Sequence, residues 1–139
     1  MITGREPNIV ARMSVAEQAK VLASGRRAIA RRELDEQKTF AGILRKLKRA
    51  GQLHYVWPRG DKRSTIQIGH PDFSVWLPHS GTAFFEFKAE SGRFSTEQTQ
   101  AIELLKSLGH LVLIVATARE AERFVISLLA KGHHAPNLE

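Results

Sequence analysis

Asp72-Phe73-Ser74-Val75-Trp76-Leu77, then Pro78-His79-Ser80-Gly81, then Thr82-Ala83-Phe84-Phe85-Glu86-Phe87-Lys88 is the stretch whose reading decides the fold. Phe73, Val75 and Leu77 alternate with Asp72, Ser74 and Trp76; Ala83, Phe85 and Phe87 alternate with Phe84, Glu86 and Lys88. A period of two belongs to strands with one buried face, and the Pro-to-Gly segment between them turns the chain, so a β-hairpin is expected. If Leu77 pairs with Gly81, the register carried down the hairpin sets Asp72 opposite Glu86, with Cβ atoms roughly 5 Å apart. Two carboxylates that close repel unless a proton or a cation lies between them. Glu86 and Lys88, two apart, share a face in a strand otherwise apolar enough to exclude unpaired charge.

On the N-terminal side, Ser14-Val15-Ala16-Glu17 is a capping box, predicting a short helix that ends at Gly25. A second helix follows from about Arg27 to Arg49, with Phe40, Ile43, Leu44 and Leu47 at three- and four-residue steps and Gly51 to stop it. Leu53 to Trp57 reads as a strand, Pro58 to Ser64 as a charged loop and Thr65 to Ile68 as a brief extended piece. On the C-terminal side, Ser95-Thr96-Glu97-Gln98 is a second capping box, and Ala101, Ile102, Leu105 and Leu108 form the stripe of the helix it opens. Leu111 to Ala116 is wholly apolar, as expected of a central strand covered on both faces. Thr117-Ala118-Arg119-Glu120 opens a last helix carrying Ala121, Phe124, Val125, Leu128 and Leu129 on one side. Trp57 and Trp76 are expected in the core. The order predicts an α/β fold, a mixed central sheet flanked by helices. Residues 1–26 form an arm and a short extra N-terminal helix, 27–131 the core and 132–139 a flexible tail.

The chain has 139 residues and no cysteine, which suits one domain with its own core and excludes a disulfide framework, a thiolate nucleophile and Cys-ligated metal sites. A reducing, cytoplasmic setting is the corresponding expectation. Its longest apolar runs fall far short of the ~20 residues a bilayer requires, so no membrane partner is expected. The formal net charge of +7 arises entirely from residues 1–50, which hold 12 Lys/Arg against 5 Asp/Glu, while the remainder balances 9 against 9. Such a basic first third suits phosphate contacts, the source of most sequence-independent nucleic-acid affinity, and equally a solvated, helix-favouring surface. The expected contacts are Arg26, Arg27, Arg31, Arg45, Lys46 and Arg49, with Arg59, Lys62 and Arg63 in the charged loop and Arg93 before the second capping box.

A carboxylate pair with a neighbouring lysine has a specific chemical use. Mg²⁺ takes hard oxygen ligands, binds through one or two carboxylates and keeps several waters, so Asp72 and Glu86 would leave it open to a phosphate. The Lys88 ammonium would orient water or stabilise charge developing on phosphorus. The reaction this points to is phosphodiester hydrolysis.

Pro71-Asp72 followed fourteen residues after the aspartate by Glu86-Phe87-Lys88 resembles the PD-(D/E)xK nuclease signature. More narrowly, Gly69-His70-Pro71-Asp72, Phe85-Glu86-Phe87-Lys88, Gly92-Arg93-Phe94-Ser95, Glu97-Gln98 and Gly109 together resemble the virus-type replication-repair nuclease (VRR-Nuc) domain. The resemblance covers about residues 33–129. It implies a restriction-endonuclease-like αβββαβ core and a Mg²⁺- or Mn²⁺-dependent DNA endonuclease of phage or bacterial repair. It further implies branched substrates, Holliday junctions or flaps, and an assembly compatible with a homodimer. It makes Asp72 and Glu86 metal ligands together with the backbone carbonyl of Phe87, Lys88 the catalytic lysine, and Gln98 the glutamine of the following helix. A helix glutamate completes the pattern: Glu33, with Gln37 four residues later, fits its common Glu-x-x-x-Gln form and is preferred, and Glu36 is the alternative. Taken singly, each residue also has a structural reading: Asp72 as a strand start, Glu86 and Lys88 as a cross-strand ion pair, Gln98 as only the partner of Ser95. The alternative function is a non-catalytic nucleic-acid-binding module that keeps the fold.

Overall fold

The computed structural model describes residues 14–58 and 68–131. Arg59, Lys62, Arg63, all of the extended piece expected at residues 65–68 except Ile68, which lies in a turn, and most of the arm and the tail lie outside the described residues. The elements are α1 (Val15–Arg49), β1 (His54–Val56), β2 (Phe73–Trp76), β3 (Thr82–Phe87), α2 (Thr96–Ser107), β4 (Leu111–Val115) and α3 (Ala118–Lys131). They build an α/β fold around a mixed sheet in the order β1-β2-β3-β4, antiparallel except for the parallel β3–β4 pair.

The helix starts follow the local chemistry. Ser14 Oγ accepts from Glu17 N at 3.2 Å and Glu17 Oε2 accepts from Ser14 N at 2.8 Å, closing the first capping box. The helix it opens does not stop at Gly25. It runs on for 35 residues, about 52 Å at 1.5 Å per residue, so the short helix and the core helix are one element. A glycine inside a helix costs only about 1 kcal/mol, and the good helix formers Ala23, Arg26, Arg27 and Ala28 on either side offset it. The stop comes at Gly51, whose φ of 72° suits the left-handed conformation beyond a helix end.

Strand alternation divides the sheet into two unlike faces. Phe73, Val75, Ala83, Phe85 and Phe87 point to one side and are fully or almost fully buried beneath α1 and α3. Phe40 of α1 is the centre of this layer, with ring centroids 4.9 Å from Phe73, 5.0 Å from Phe85 and 5.5 Å from Phe87. Trp57 stacks on Phe73 at 5.5 Å and donates from Nε1 to Gln37 Oε1 at 3.1 Å, so it packs with the core as expected. Trp76 does not. It follows Asp72 and Ser74 onto the opposite face and is 42% exposed beside His54.

The opposite face carries α2 and buries Ile102 and Val112. Here the expectation for Leu111–Val115 is corrected: among the described residues β4 is an edge strand, not a central one, and Leu111 and Ile114 are more than two-fifths exposed. An apolar run is compatible with any strand paired to a parallel neighbour, and its place in the sheet depends on whether another strand joins its free edge.

Because Phe40 joins α1 to three rings of the sheet, Phe40→Ala is expected to lower unfolding free energy by about 3–5 kcal/mol, and Phe40→Leu by much less, in urea titrations.

Candidate active site

The hairpin register is Phe73↔Phe85, Ser74↔Phe84, Val75↔Ala83 and Trp76↔Thr82, closed by Leu77 N donating to Gly81 O at 2.7 Å. Extended one step outward, it sets Asp72 against Glu86 as the turn chemistry predicts. The two residues are clasped: Asp72 N donates to Glu86 Oε2 at 3.3 Å and Phe87 N donates to Asp72 Oδ2 at 2.8 Å. Pro71, fully buried, anchors the strand entry immediately before Asp72.

Alternation that sends Phe85 and Phe87 into the core sends Glu86 to the other face, where α2 covers it until only 3% of its surface is exposed. The cover is specific. Gln98, third residue of α2, donates from Nε2 to Glu86 Oε1 at 3.0 Å, while its Oε1 accepts from Lys88 Nζ at 3.3 Å and from Ser95 N at 3.0 Å. Gln98 therefore closes the capping box and also bridges the carboxylate to the lysine. Its amide has one workable orientation, with the NH₂ towards the acceptor-only carboxylate and the oxygen towards the donor-only ammonium.

Two glycines make this possible. Gly69 has φ of 89°, and a Cβ there would lie 2.5 Å from the backbone carbon and oxygen of Glu97, so only glycine lets this loop press against the first turn of α2. A Cβ on Gly92 would come within 3.1 Å of the Lys88 side chain, whose ammonium lies 5.2 Å from the centre of the Phe94 ring. The contact with Phe94 had no separate signal in the sequence beyond its place in the Gly92–Ser95 string.

Glu33 and Glu36 separate in the fold. Glu33 Oε1 accepts from Ala89 N at 2.9 Å, just past Lys88, and its charge is felt by both Asp72 and Glu86. Glu36 Oε2 instead accepts from Ala118 N at 2.7 Å at the start of α3. That contact supplies a carboxylate to the positive end of the helix dipole and turns Glu36 towards α3. Among the described residues, no three His, Cys, Asp or Glu side chains converge on one point suited to a metal ion. His70 hydrogen-bonds through Nε2 with Ser74 Oγ at 3.2 Å.

Electrostatically the pair is tense. Burial is the main cause pushing Asp72 up to about 6, with Glu33 adding to it and the Phe87 amide and Lys88 opposing. Burial and then the charge of Asp72 push Glu86 up to about 8, against Lys88 and the Asp72 amide. Near neutral pH the two cannot both be ionised at low cost without a further positive charge.

The basic residues are also sorted by the fold. Arg26 and Arg93 line a cleft of about 630 Å³ together with Lys88 and Glu33. Arg27 and Arg31 are exposed on α1, and Arg45, Lys46 and Arg49 lie exposed in its last two turns, with Arg49 about 34 Å along the helix from Arg26.

No family model and no curated protein matches the chain. One solved structure, described as "VRR_NUC domain", superposes with a TM-score of 0.51 over 68% of this chain and 94% of that one, at 22% sequence identity. The likeness is one of fold.

A carboxylate whose folded-state pKa lies above its unfolded value binds more protons in the native chain than in the unfolded one between those two values. Stability therefore declines as pH rises through that window. Without divalent cations, Tm is expected to fall from pH 5 to pH 8, with a shallower slope in Glu86→Gln. A flat or rising wild-type profile by differential scanning fluorimetry would contradict this electrostatic picture.

Proposed function

We propose that this chain is a metal-dependent endodeoxyribonuclease that hydrolyses phosphodiester bonds in branched DNA such as Holliday junctions or flaps. The observation that carries the reading is the opposed pair of half-buried Asp72 and buried Glu86, tied through Gln98 to the Lys88 ammonium. The fold shared with a VRR_NUC domain supports it.

The donor set suits Mg²⁺ or Mn²⁺. Asp72 and Glu86 supply two hard oxygen donors whose mutual repulsion a dication would relieve, and ions of this kind commonly bind through one or two carboxylates and retain water. Asp72, Glu86 and the Phe87 carbonyl would hold the ion, and Glu33, the further carboxylate that acts on both acids, is the fourth member assigned to the site. When bound, such an ion polarises a phosphoryl oxygen and acidifies water.

The protein's own groups then have separate tasks. Lys88, held by Gln98 and by the face of Phe94, presents a fixed positive charge to the phosphate and stabilises negative charge developing there. Gln98 is a positioning residue that sets the spacing of Glu86 and Lys88. Glu33 fixes the backbone at Ala89 as the chain leaves Lys88.

Purified protein incubated with junction, flap and linear DNA in Mg²⁺ or Mn²⁺ is expected to cut the branched substrates. Lys88→Ala should slow cleavage by about 10²–10³-fold, the loss typical of a deleted charge-stabilising group. Gln98→Ala should lose less, because it acts through its neighbours. Calorimetry should show a metal-binding heat that vanishes in Asp72→Asn. Equal nicking by wild type and Lys88→Ala would overturn the assignment, and salt-sensitive DNA binding with no metal heat would mark a non-catalytic module instead.

A further inference from the structure

None of the residues of α1 from Val15 to Thr39 is buried, and the buried ones are Phe40, Ala41 and Leu44. The first half of the helix thus runs beyond the core, yet it keeps the same inward line: Val15, Leu22, Arg26, Glu33, Phe40 and Leu44 all fall within one narrow face at 3.6 residues per turn. On that face Arg26 follows Leu22 and precedes Glu33, and it lines, together with Arg93, the cleft that reaches Lys88. Arg26 and Arg93 are exposed, and neither makes a hydrogen bond or ion pair among the described residues.

A second cleft, of about 610 Å³, lies on the other side of Glu33 and Ser91, which line both. The two differ in charge. The first has Arg26, Lys88 and Arg93 against Glu33, and the second has Arg32 against Glu33, Asp35, Glu36 and Glu90. A polyanion is drawn into the first and repelled from the second.

We infer that the cleft between the overhanging half of α1 and the turn after β3 is a backbone-phosphate subsite, where Arg26 and Arg93 grip DNA on one side of the bond that Lys88 addresses. The inference rests on the nuclease reading for its geometry, since the grip is useful only beside a reacting phosphate. Its ligand is an internal phosphodiester, and its size fits a nucleotide-scale ligand. Two unpaired guanidiniums suit this ligand because each presents a planar fork of donors to phosphate oxygens. The acidic cleft bounds the strand, so the grip is one-sided.

The test is equilibrium DNA binding by fluorescence anisotropy in EDTA, at several salt concentrations, with the full chain. Arg26→Ala and Arg93→Ala are each expected to weaken binding about tenfold at 0.1 M salt and to reduce the slope of log K against log salt by about one. Lys106→Ala, exposed in the last turn of α2, removes the same charge elsewhere and serves as the control. Circular dichroism and Tm should match wild type in all three. The same losses on a dumbbell DNA with no free ends support an internal phosphate. Losses seen only with 5′-phosphorylated ends, or losses no larger than that of Lys106→Ala, overturn the proposal. Because no metal and no turnover are involved, a failed cleavage assay would remove the nuclease reading without producing either of these results.

Discussion

Two carboxylates held face to face, one half-buried and one buried, are the constraint around which this molecule is arranged. Asp72 and Glu86 are brought together by the hairpin, and each accepts a backbone amide from the other's strand. Those bonds fix the geometry, but they do not neutralise the charge, and burial, with the charge of Glu33 acting on Asp72 and that of Asp72 acting on Glu86, lifts both groups well above the ordinary carboxylate range. A fold selected for stability alone would gain by replacing such a pair with apolar side chains. Its presence beside a lysine is the feature on which the proposed chemistry rests.

The surrounding structure serves to hold that pair in place. Phe40, Phe73, Phe85 and Phe87 fill the opposite side of the sheet, and their close packing prevents the strands from slipping by a residue, which would turn the acids into the core. The bare backbone of Gly69 lets the first turn of α2 approach closely enough for Gln98 to reach Glu86. One side-chain amide thereby does three jobs: it caps a helix, satisfies a buried acid and orients an ammonium.

The long first helix unites core and surface. Its last turns bury Phe40 and Leu44, its middle sends Glu33 to the end of β3 and Glu36 to the start of α3, and its first half carries Arg26 to the mouth of the site. Glu33 and Glu36 are three residues apart, about 60° around the helix, and the sequence pattern admits both while leaning to Glu33. Only the positions of the strand ends and of α3 relative to α1 separate their partners.

What the amino-acid order determined by itself is whatever depends on neighbours in the chain. The hairpin register follows from turn length and alternation, and the two capping boxes form as their residue types require. The opposition of Asp72 and Glu86 follows from the same local arithmetic. Tertiary structure decided the rest, because it depends on what a segment meets. Gly25 continues a helix rather than ending it, and Leu111–Val115 lies at an edge of the described sheet. Trp76 lies partly exposed on the face away from the core, and Arg26 and Arg93 line one cleft. A local pattern specifies which face of an element is apolar or charged, but the partner of that face is set only when distant segments pack together.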